Sequence, residues 1–142
     1  MESAEAKIDK ETAKNEFCRY CESNGIEHEE SAMSDEEKDT FKDIKKRFLD
    51  ACMAGRVEVD GTTLKYTLSN FSPEGFGGKV FVIKRPSGHA FSSMDGWKEK
   101  ESVHKLVGFM SAITGQELKT FSKIDIFDWK FVSSIATLFL SL

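Results

Sequence analysis

The chain has 142 residues, 39% hydrophobic and 31% charged, a balance that suits one soluble globular unit with a small core and excludes a disordered polypeptide. Lys and Arg number 20 against 24 Asp and Glu, a net charge of -4, which argues against a general nucleic-acid binder because such proteins need clustered basic charge. The charge is uneven, with 9 basic and 15 acidic side chains in residues 1–50 and 11 and 9 in residues 51–142, so an acidic helical region (1–54) is expected to precede an α+β core (55–142), the two forming one unit.

Met1-Glu2-Ser3-Ala4-Glu5 lacks the basic start and apolar run of a signal peptide. The longest uncharged stretch, Phe131 to Leu142, is shorter than the ~20 residues of a bilayer span. Three cysteines (Cys18, Cys21, Cys52) form an odd count, as expected where thiols stay reduced, so an intracellular protein is expected.

From about Ser3 to Ser23 the apolar residues Ala13, Phe17, Tyr20 and Cys21 recur at helical spacing as one stripe on a charged rod, and Asn24-Gly25 supplies the stop. After a polar acidic linker, Ser34-Asp35-Glu36-Glu37 reads as a capping box in which the Ser34 hydroxyl and Glu37 carboxylate each accept from the other's backbone N–H. The helix behind it buries Phe41, Ile44, Phe48 and Cys52 and closes at Gly55. The period then changes to two. Val57 and Val59 form one strand and Leu64 and Tyr66 the next, with Asp60-Gly61 as a type I′ turn that sets Val57 against Leu64. Asn70 to Gly78 is a loop, and Val80-Phe81-Val82-Ile83 a third, more fully buried strand stopped by Pro86.

The last third is helical. Val103, Leu106, Val107, Met110 and Ile113 form one stripe; Thr114 and Glu117 offer a second capping box, and a short turn carries Leu118 and Phe121. The final helix, Ile126 to about Leu140, is apolar on two sides: Phe127, Phe131, Ile135 and Leu138 on one stripe, Trp129, Val132, Ala136 and Phe139 on the other. Such a helix is either central in a core or partly covered by a partner. Taking the first stripe as buried leaves Trp129, Val132, Ala136 and Phe139 as a face for a partner or a second copy; the two stripes are interchangeable at this level. The fold class is α+β: two N-terminal helices, a small antiparallel three-stranded sheet and a C-terminal helical half.

Chemistry is sparse. Cys18-Arg19-Tyr20-Cys21 has metal or redox spacing but lies within a helix, without a second pair, and His28, His89 and His104 lack ligand spacing. Asp125 and Asp128, with Asp95, read as helix-start residues better than as acid–base or metal carboxylates. Gly75-Phe76-Gly77-Gly78-Lys79 precedes a strand and lacks the phosphate-loop spacing. No Ser/His/Asp or Cys/His set stands out, so neither enzyme, cofactor nor metal is expected. Lys84-Arg85 with His89 and Lys98-Lys100 forms at most a small basic edge, the basis of an alternative reading as a nucleic-acid-binding or regulatory module.

Residues 55–142 resemble the tail assembly chaperones of tailed bacteriophages and prophages. The features are Phe81-Val82-Ile83-Lys84-Arg85, a helix ending in Met110-Ser111-Ala112-Ile113-Thr114-Gly115, then Glu117-Leu118, Asp125-Ile126-Phe127-Asp128 and a terminal Phe139-Leu140. Gly55-Arg56-Val57-Glu58-Val59 and Tyr66-Thr67 are similar to small proteins of phage tail gene clusters. The long acidic front departs from the shortest members. The resemblance implies a non-enzymatic protein of the bacterial host cytoplasm that binds the tape measure and tail tube proteins during assembly, is absent from the virion, and belongs to families that often make a longer frameshifted product.

Overall fold

Asp9 opens the first helix by accepting the amide of Thr12 on its side chain at 2.8 Å. The computed structural model describes residues 8–73, 75–88, 90 and 102–140. Helix α1 (Lys10–Asn24) ends at Gly25, whose left-handed φ of 70° lets its own amide and that of Ile26 reach back to the last carbonyls. Ala13, Phe17, Tyr20 and Cys21 form its buried face, as their spacing requires. A 3₁₀ turn (Glu30–Ala32) interrupts the acidic linker. Both halves of the capping box are made: Ser34 Oγ accepts from the Glu37 amide at 3.2 Å, and the Ser34 amide donates to Glu37 Oε1 at 2.8 Å. Helix α2 (Asp35–Met53) follows, burying Phe41, Ile44, Phe48 and Cys52, and packs on α1 through Phe17, whose ring lies 5.0 Å from Phe48 and 5.6 Å from Phe41.

Strands β1 (Val57–Asp60), β2 (Thr63–Thr67) and β3 (Val80–Ile83) make an antiparallel sheet in that order. The register differs by two positions from the expected one: Val59 opposes Leu64 and Val57 opposes Tyr66. The turn residues are Gly61-Thr62, not Asp60-Gly61, because Asp60 pairs with Thr63. Only Gly61 has positive φ, which is the pattern of a II′ turn; a type I′ turn would need it at Thr62 as well, where a β-branched side chain resists it. The third strand is an edge strand, not a fully buried one. Its Phe81 and Ile83 face the core while Val80 lies outside.

Helix α3 (Ser102–Thr114) buries Phe109, Met110 and Ile113, leaves Leu106 and Val107 half-buried and exposes Val103. The second capping box does not form. Thr114 is the last residue of α3; its hydroxyl donates back to the Met110 carbonyl at 2.7 Å and accepts from the Gln116 amide, while Glu117 makes no side-chain cap. The 3₁₀ turn Leu118–Ser122 buries Phe121 and leaves Leu118 exposed.

Helix α4 (Ile126–Leu140) packs against both α2 and α3. Phe131 stacks on Tyr66 of β2 (4.1 Å between centroids, planes 9° apart), and Phe139 meets Tyr20 of α1 at 6.2 Å. Contacts to three helices and the sheet explain its apolarity on all sides: it is the central element, and one buried cluster runs from Ala13 to Phe139. Among the described residues no helix is long and apolar enough to cross a membrane.

Candidate functional site

The stripe Trp129, Val132, Ala136 and Phe139 is not an exposed face. Val132, Ala136 and Phe139 are buried in the core and Trp129 is half-buried. Phe131, Ile135 and Leu138 of the other stripe are buried too, so the surfaces of α1, α2, α3 and β2 use both sides of the helix. Phe127, assigned by spacing to the buried stripe, is instead 66% exposed.

The first turn of α4 inverts the expected polarity. Asp125 begins the helix, its carboxylate accepting the Phe127 amide at 2.9 Å, and the turn then points Ile126 and Phe127 outward and Asp128 inward. Asp128 has no exposed surface. Its carboxylate accepts from the Tyr66 hydroxyl at 2.7 Å, the Ser72 hydroxyl at 2.6 Å, the Ser69 hydroxyl at 3.0 Å and the Ser69 amide at 3.1 Å to both oxygens. Charge-assisted bonds of this kind, together with the positive end of α4, replace the water a buried carboxylate loses. Ser72 Oγ also accepts the Asp125 amide at 2.9 Å, tying the loop to the helix start twice. Burial and the hydrogen bond and charge of Asp128 hold the Tyr66 phenol well above its ordinary range, so it stays a donor.

This network decides what the loop displays. The β2–β3 loop closes on itself where Leu68 and Lys79 bond and Gly78 donates to Leu68. Ser69 and Ser72 are pulled under α4, and Phe71 between them stands 74% exposed. Its ring lies 6.2 Å from that of Phe127, forming an aromatic lip. The two rings line an open cleft of about 480 Å³ together with the largely buried Tyr66 and Phe131. Lys46 and Arg47 of α2, Arg56 before β1 and Lys130 of α4 reach it, as do Asp43 and Asp50.

Among the described residues, the other sequence candidates do not line this cleft. Arg85 of the basic edge donates to the backbone carbonyl and side chain of Asn24, while His89, Asp95, Lys98 and Lys100 lie outside the described residues. Cys21 and Cys52 are buried free thiols, each pushed up to about 12 by burial, which disfavours the reactive thiolate; Cys18 is half-buried. Among the described residues no group of three or more His, Cys, Asp or Glu is placed to hold a metal ion. The Ser69 and Ser72 hydroxyls donate directly to the Asp128 carboxylate, an arrangement that fixes the position of the loop.

One signal for this site was present in the sequence. Asp128 falls on the same helical stripe as Val132, Ile135 and Phe139, a carboxylate where an apolar residue is due. Nothing local indicated that Ser69 and Ser72, more than 50 residues away, would meet it. Compared with protein-family models, curated proteins and solved structures, the chain matches none.

Proposed function

We propose that this protein is a non-enzymatic binding protein of the tail assembly chaperone kind, acting in the cytoplasm of a bacterial host and holding tape measure and tail tube proteins of a phage or prophage against the Phe71–Phe127 lip. The observation that carries the binding role is that lip: two large aromatic side chains held side by side and mostly exposed. Leaving them exposed forgoes about 1.5–3 kcal/mol of burial each, and exposed aromatics grouped over a cleft suit a partner's apolar anchor. The resemblance of residues 55–142 to tail assembly chaperones implies the partner class. The Val132–Ala136–Phe139 flank of α4 is core and offers no surface to a partner. The nucleic-acid alternative draws less: net charge is -4, and Arg85 is engaged with Asn24.

Co-expression with the tape measure and tail tube proteins of the same gene cluster tests this reading. A soluble complex is expected, and Phe71→Ser with Phe127→Ser should abolish it while leaving the melting temperature unchanged. Failure to form any complex, or one indifferent to the double substitution, would refute it.

A further inference from the structure

We infer that the cleft under the Phe71–Phe127 lip takes an acidic peptide segment carrying an apolar or aromatic side chain. The inference rests on the cleft being the working face and adds the chemistry of its occupant. Four cations reach the cleft from three parts of the chain, and among the described residues only Lys46 has a carboxylate partner, Asp50 at 3.0 Å. Arg47 donates to the Ser134 hydroxyl at 2.8 Å and Arg56 to the Thr67 carbonyl at 3.4 Å. Neutral acceptors orient a guanidinium without cancelling its charge. With Lys46 matched by Asp50, three cations face one remaining acid, Asp43, an excess of positive charge in a chain whose net charge is -4. Such a cleft complements a negative occupant.

The lip and the acids narrow the class. Two exposed rings at the mouth of the cleft offer more contact than a small inorganic anion uses. Asp43 and Asp50 lie two turns apart on α2 with Arg47 between them. A phosphodiester backbone, charged at every unit, would meet both carboxylates, whereas a peptide carries its acids at intervals and presents apolar side chains between them.

Fluorescence anisotropy on the full chain distinguishes the occupants. The probe is a short labelled peptide with Glu and Asp flanking a Phe-Leu pair; its comparators are the same peptide with Gln and Asn for the acids, and an oligothymidylate. The acidic peptide should bind, weaken steeply with salt, and lose about tenfold or more in affinity on Lys130→Glu or Phe127→Ser, both at exposed positions. Equal binding of the neutral peptide, sensitive to Phe127→Ser but not to Lys130→Glu, would overturn the acidic occupant and leave the cleft as a protein-binding face. Preference for the oligothymidylate, absence of peptide binding at low salt, or self-association of the chain alone that Lys130→Glu abolishes would each overturn the inference. The wider functional reading stands or falls separately, on the co-expressed complex.

Discussion

The two ends of α4 obey opposite rules. From Phe131 to Phe139 nearly every side chain, including Ser133 and Ser134, is buried among α1, α2, α3 and the sheet; in the first turn Phe127 stands in solvent and Asp128 has no exposed surface. Residue type does not account for the difference, since by transfer energy Phe127 belongs inside and Asp128 outside. What differs is the set of groups each position meets. At the far end, rings such as Tyr20 and Phe48 offer apolar contact; at the near end, Tyr66, Ser69 and Ser72 offer donors. A buried polar group beneath an exposed aromatic one marks where packing has given way to presentation.

The largest effects should come from the apolar end. Phe139→Asp would put a charge into the apolar core beside the Tyr20 ring and should abolish cooperative folding, seen as loss of near-ultraviolet dichroism; a folded variant would mean this end is a surface after all. Phe131→Ala removes the ring stacked on Tyr66 and should cost about 3–5 kcal/mol in denaturant unfolding. Asp128→Ala leaves the Tyr66, Ser69 and Ser72 donors unmatched and should cost about 3 kcal/mol, with faster hydrogen exchange at the Ser69 amide as the local signature. Exchange unchanged at Ser69 would show that the carboxylate does not hold the loop.

Alkali probes both ends together. Burial raises the Tyr20 and Tyr66 phenols and pushes the Cys21 and Cys52 thiols from 9.0 to about 12, so each group is neutral in the folded protein where the unfolded chain would release its proton. Their contribution is fully present below pH about 9 and is lost as pH rises toward 12. Unfolding free energy measured across that range should fall, and a flat profile would show that these groups are not sequestered. The smallest effect is expected at the lip, where Phe127→Ser should shift stability by no more than about 0.5 kcal/mol. A larger loss would make Phe127 part of the packing and erase the contrast between the two ends.

What the sequence by itself determined is what short-range bonds decide. The Ser34–Glu37 capping box, the stops at Gly25 and Gly55, and the stripes of α1 and α2 involve groups within one or two helical turns, so residue type and spacing suffice to place them. The strands were legible from their alternation, but their register was not, since it turned on whether positive φ fell at one central turn position or two. The tertiary structure alone decided which faces of α4 are covered and which groups meet Asp128. The stripes are equivalent within the helix, and only neighbours 56 to 62 residues away along the chain, at Ser72, Ser69 and Tyr66, turn a helix-start aspartate inward and leave two phenylalanines at the lip of a cleft.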